Sequence, residues 1–106
     1  KLTLDDTIDL SQLEDLVAMR RIADGEINEI DRIIAGYGLI IWTLARKFTV
    51  TPDEAMEAFA DIVKDIISSA EDFDPAKTGL LTFIKQISHR RLMANLEFTD
   101  QVRLPQ

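Results

Sequence analysis

Apolar residues along this 106-residue chain recur at three- and four-residue steps, the spacing that lines one face of a helix. Ile30, Ile33, Ile34, Tyr37, Ile41, Leu44 and Phe48 form the longest row. It predicts a helix of about 22 residues that starts near Glu26. Gly36 and Gly38 sit inside that row, so either another helix comes close there or the helix bends. Around Leu39-Ile40-Ile41-Trp42 the pattern is apolar on nearly every side, which fits the centre of a bundle or a face that meets a partner. A second row, Ala55, Phe59, Ile62, Val63, Ile66 and Ile67, predicts a helix that runs to about Ala70, with Glu57, Asp61, Lys64 and Asp65 opposite. A third row, Leu80, Leu81, Phe83, Ile84, Ile87 and Leu92, predicts another, which Thr78 can cap. Leu13, Leu16 and Val17 predict a shorter first helix over about residues 11–23.

The boundaries carry their own signals. Ser11-Gln12-Leu13-Glu14 reads as a capping box, and Gly25 as the stop of the first helix. Thr51-Pro52-Asp53-Glu54 is the clearest boundary: Thr at the cap, Pro at the first helical position, and Glu54 closing a second capping box. Glu71-Asp72-Phe73-Asp74-Pro75 breaks the next helix, because the residue before a proline disfavours helical backbone. No internal repeat and no hairpin signal interrupts this order. The expected fold is all-α, a compact bundle of about four helices. Residues 1–10 are expected to be a flexible N-terminal segment, 11–97 the domain, and 98–106 a tail or the start of a linker.

Charge changes the picture more than composition does. The formal net charge is −7, which argues against a whole-surface affinity for nucleic acid. That sum hides a split. From Thr51 to Asp74 there are eight acidic residues against Lys64 alone. From Pro75 to Leu96 there are Lys77, Lys85, Arg90 and Arg91, and no acid. An acidic helix suits a basic protein surface, and a basic helix suits phosphates.

Catalytic chemistry is hard to find. The chain has no cysteine, so thiolate metal sites and nucleophiles are out, and a reducing compartment is expected. Its one histidine, His89, has no nucleophile beside it in sequence. No His/Asp cluster has zinc spacing. Read as a calcium loop from Asp74, the sixth position is correctly Gly79, but the third is Ala76 and the twelfth Lys85, and lysine cannot ligate calcium. The longest uncharged run, Ala35 to Ala45, is too short to cross a bilayer. A non-enzymatic, cytoplasmic protein without metal, cofactor or membrane contact is expected.

Taken in order, residues 16–96 resemble region two of a bacterial RNA polymerase sigma factor, closest to the extracytoplasmic-function group. Arg20-Arg21-Ile22-Ala23-Asp24-Gly25-Glu26 resembles the opening helix and Gly-acidic turn. Tyr37-Gly38-Leu39-Ile40-Ile41-Trp42-Thr43-Leu44-Ala45-Arg46 resembles the long apolar helix. Thr51-Pro52-Asp53-Glu54-Ala55-Met56-Glu57 stands where the family has a Pro-acidic start and a "DAED"-like run. Phe73-Asp74-Pro75, Gly79 and Leu81-Thr82-Phe83-Ile84 through Ile87 resemble its "FDP…G-x-F-x-x-W-L-x-x-I" stretch. The chain departs from the pattern at Ala60, where the family commonly has Gln, at Val63 for an aromatic, at Phe83-Ile84 for Trp-Leu, and at Arg90 for Asn.

The resemblance implies a transcription initiation domain with two partners, core RNA polymerase and the single-stranded minus-ten promoter element. An anti-sigma protein is a third partner class that the family leaves open. Glu54, Glu57, Phe59, Asp61 and Asp65 would meet the core enzyme. Lys85, His89, Arg90 and Arg91 would face DNA, mostly at phosphates, and Phe73, Asp74, Lys77 and Thr78 would line the loop that receives an extruded base. Two physical constraints stand beside this. Phe73 can instead plug the core under its loop. Arg90 and Arg91 are adjacent on a helix, so one of them should turn toward the acids of the preceding helix. The alternative reading is a divergent helical protein-interaction module without promoter binding.

Overall fold

The computed structural model describes the backbone over residues 10–103, with side chains at residue 10 and over 12–96. Four α-helices form there: α1 (Leu10–Ala23), α2 (Ile30–Lys47), α3 (Pro52–Ser69) and α4 (Leu80–Arg103). A 3-10 turn, Ile27–Glu29, leads into α2, and a second, Ala70–Asp72, follows α3. The described residues contain no strand, so the domain is an all-α bundle of four helices. No helix among them is long and apolar enough to cross a membrane. Of the expected flexible segment 1–10, Leu10 already opens α1 and residues 1–9 lie outside the described residues, as do the last residues of the tail, 104–106, and the Ser11 side chain of the first capping box.

α2, α3 and α4 pack on one another, and α1 closes one end against both 3-10 turns. Met19 and Ile22 of α1, Ile33 and Ile41 of α2, Ile62 and Ile66 of α3, and Ile84, Ile87 and Leu92 of α4 meet in one buried cluster. Burying each such side chain contributes about 1.5–3 kcal/mol. The second and third rows read from the sequence fall largely on this core, except that Leu81 is exposed. The first helix turns out differently. Leu13 and Val17 are exposed, and Leu16, Met19 and Ile22 face inward. α1 touches the bundle mainly through the 3-10 turns at its end, so its C-terminal half, not its start, sets the buried face.

Boundaries follow local hydrogen bonding. Gly25 takes φ +98°, the left-handed region open to glycine, and the Glu26 and Gly25 N–H groups reach back to the Arg21 and Ile22 carbonyls at 2.9 and 3.0 Å. That is a Schellman stop. At α3 the capping box is complete: the Glu54 N–H donates to Thr51 Oγ1 at 3.1 Å, and the Thr51 N–H to Glu54 Oε1 at 3.4 Å. α2 is four residues shorter than expected at its start, because Ile27–Glu29 winds as a 3-10 turn. α4 starts at Leu80 and runs to Arg103, through residues expected to be tail. Its first turn is closed by the Phe83 N–H on the Gly79 carbonyl at 3.0 Å, so Gly79 rather than Thr78 stands at the cap.

The two glycines of α2 have different uses. A Cβ on Gly38 would stand 3.2 Å from Ile34 Cγ2, one turn back in the same helix, and in ordinary contact with Phe59 Cζ at 4.0 Å, so Gly38 makes room for the Ile34 side chain. A Cβ on Gly36 would meet nothing within 4 Å. Gly36→Ala should therefore stabilise the domain by about 0.5–1 kcal/mol, the helix-propensity gain, read as a higher denaturation midpoint. An unchanged or lower midpoint would mean that this turn is not regular helix.

Candidate partner and nucleic-acid surfaces

Four of the five acidic residues of α3, Glu54, Glu57, Asp61 and Asp65, recur at three- and four-residue steps along its α4-facing flank. Glu54, Glu57 and Asp61 line a groove of about 410 Å³ whose floor is Phe48, Ala58, Leu92 and Leu96. Glu54 is also a structural group here, since its carboxylate accepts the Val50 N–H at 2.9 Å within the cap. One turn beyond Asp61, Asp65 takes both prongs of the Arg91 guanidinium: Nε donates to Oδ2 at 2.7 Å and Nη2 to Oδ1 at 2.8 Å. The Asp65 hydrogen bond raises the Arg91 pKa above its usual value, against the smaller lowering from burial, and the negative charges of Asp65 and Asp61 add to the rise. The pair is partly exposed, so it contributes about 1 kcal/mol, helped by its bidentate geometry. Phe59 is not on this stripe. It is half-buried on the other flank of α3, edge-on to Trp42 with ring centroids 6.2 Å apart. The five residues expected to meet a protein partner therefore occupy two surfaces.

The basic residues divide in the same way. Lys85, His89 and Arg90 lie on the outer side of α4 around a shallow depression of about 690 Å³, with Thr82, Gln86 and Leu44 completing it. The His89 ring stands edge-on to Phe48 at 6.1 Å. Arg91 is absent from this face: one residue further round, it turns toward α3 and is tied to Asp65. It is the arginine that turns toward the acids, as the adjacency of the pair required. The sequence names Leu44 only as part of an apolar row, and gives no site role to Thr82 or Gln86. The signal for Thr82 and Gln86 was present, since they share a helix face with Lys85 and His89.

The connecting turn is held from inside. Phe73 is 2% exposed and packs against Phe83 with centroids 5.2 Å apart, so it presents no ring face to a ligand. It is core, because the loop must bury its only aromatic side chain to close over the end of α3. Asp74 builds the turn: Oδ1 accepts the Ala76 N–H at 2.9 Å, and its carbonyl accepts Lys77 and Thr78 N–H at 3.0 and 3.2 Å. The Thr78 hydroxyl faces the Gly79 carbonyl at 3.4 Å. Of the four loop residues, only Lys77 is fully exposed.

No group of three or more metal-ligating side chains occurs among the described residues. What remains is a domain with two charged surfaces, an acidic groove between α3 and α4 and a basic outer side of α4. Comparison of the chain with protein-family models, curated proteins and solved structures finds no match.

Proposed function

We propose that this chain is a sigma-type transcription initiation domain of the cytoplasm, which binds core RNA polymerase through α3 and promoter DNA through α4. The observation that carries the proposal is the spatial separation of its charges. Glu57 and Asp61 stand in the α3–α4 groove, while Lys85, His89 and Arg90 face outward from α4. A basic polymerase surface and a DNA strand could then be held at once without competing for the same side chains. The motif order along residues 16–96 supplies the identity of the two partners. Arg91 drops out of the DNA-binding set, and Glu54 and Asp65 serve mainly to cap and brace α3.

One observation favours the rival, a helical interaction module without promoter binding. Phe73 is buried, so the loop offers no aromatic platform, and base stacking is the usual source of sequence-tolerant strand affinity.

Core polymerase pull-down and fluorescence anisotropy with a single-stranded minus-ten-like oligonucleotide, with and without core enzyme, test the two readings. Glu57→Lys plus Asp61→Lys should abolish capture of polymerase. Lys85→Glu plus Arg90→Glu should weaken oligonucleotide binding about tenfold or more, and flatten its salt dependence by about two counterions. Wild-type protein that captures no polymerase sinks the proposal. Capture of polymerase with no strand affinity in any format leaves the interaction module.

A further inference from the structure

The outer side of the α2–α3 pair faces away from the core, where an amphipathic helix normally presents charge. Here, between exposed Arg32 and Arg46 on α2 and exposed Asp53, Glu57 and Lys64 on α3, it presents Leu39, 78% exposed, and Met56, 62% exposed. Trp42 and Phe59 lie half-exposed beside them, and Ala35 and Ala60 are exposed. The rows run at three- and four-residue steps along both helices, and the Trp42–Phe59 contact joins them into one surface. An apolar face of this extent on two neighbouring helices marks an interaction site.

The charges at its edge indicate what covers it. Asp53 and Lys64 lie on the outer side of α3, six residues before and five after Phe59. Both are exposed, and neither takes part in either ion pair found among the described residues. Opposite charges at nearly equal distances from the centre of an apolar face make that face complementary to itself.

We propose that this face is the interface of a symmetric homodimer, with α2 and α3 of one copy packed antiparallel on α2 and α3 of a second. A two-fold axis lying across the helices at Phe59 and Trp42 brings each Asp53 against the second copy's Lys64. The two ion pairs then stand about 16 Å apart, the rise of eleven helical residues, with Leu39, Met56, Trp42 and Phe59 enclosed between them. The inference is independent of promoter binding, because the basic outer side of α4 is not used.

Sedimentation equilibrium of the full chain over a concentration series tests it. Wild type should associate to a dimer. Met56→Glu should raise the dissociation constant about tenfold or more, by placing a charge in the enclosed centre. Asp53→Lys and Lys64→Asp should each raise it, and the double exchange Asp53→Lys plus Lys64→Asp should bring it back near the wild-type value, since each copy then supplies both reversed charges. Thermal melts of each variant show that the fold is retained. A chain that stays monomeric at every concentration overturns the proposal, as does a dimer indifferent to Met56→Glu. A double exchange no tighter than the single variants overturns it equally.

Discussion

Replacing Phe73 with alanine is expected to lower folding stability by about 3–5 kcal/mol, the range for truncating a buried phenylalanine. The ring is 2% exposed and lies against Phe83, with Pro75, also buried, two residues further on. It is the side chain that fastens the turn between α3 and α4 to the core. Alanine leaves a cavity bounded by helices, which cannot collapse into it without moving α4. Small domains have about 5–15 kcal/mol in total, so the variant should sit close to its unfolding transition at room temperature. Urea unfolding followed by circular dichroism gives the number. Phe73→Leu should recover more than half of it, since most of the volume returns. If the ring served a displaced base instead, alanine would reduce strand affinity and leave the unfolding midpoint within about 1 kcal/mol. That result would contradict the packing described above.

Gly25→Ala is expected to destabilise by about 1–2 kcal/mol, opposite in sign to the same change at Gly36. Space is not the reason, because a Cβ at Gly25 would meet nothing within 4 Å, as at Gly36. The difference lies in the backbone, whose φ of +98° is strained for any residue with a side chain. If Gly25 relaxed on substitution, the Schellman bonds to Arg21 and Ile22 would be lost, and with them the angle at which α1 meets the 3-10 turn. Parallel denaturation of the two variants reads the contrast directly. Two shifts of the same sign would remove the conformational explanation.

Much of the fold was legible because its signals are local. Thr51, Pro52 and Glu54 announce the start of α3 in four consecutive residues, and Gly25 announces the end of α1 in one. The rows of α2 and α3 found their buried sides because a continuous stripe leaves a helix one way to face. α1 was misread at Leu13 and Val17 because its burial is imposed from outside, by the 3-10 turns it abuts, which no spacing within α1 encodes. Thr78 was placed at a cap for a related reason. Asp74 commits its carbonyl to two N–H groups and so delays α4 to Leu80, a choice made by turn geometry rather than by residue preference.

The surfaces were legible in sign but not in direction. The split between acidic and basic helices is visible in the sequence, and the adjacency of Arg90 and Arg91 shows that only one can face outward. Which one depends on the rotation of α4 about its axis, fixed by Ile84, Ile87 and Leu92 entering the core. Phe59 enters the partner set only through the family resemblance; its place in the apolar row already sets it across the helix from the acids, where it lies against Trp42. The Leu39 to Trp42 stretch held both readings at once: Ile41 is wholly buried and Leu39 largely bare.

Acids line the α3–α4 groove and cations the outer side of α4, so these two surfaces carry opposite local fields on a chain whose net charge is −7. A polyanion at long range meets repulsion from the net charge. Within a screening length, about 8 Å at physiological ionic strength, it meets a torque that turns the basic side toward it. Added salt weakens the distant repulsion and the close alignment together. If the proposed strand binding holds, the rate of encounter should therefore change less steeply with ionic strength than the lifetime of the complex, in which Lys85 and Arg90 would be in contact.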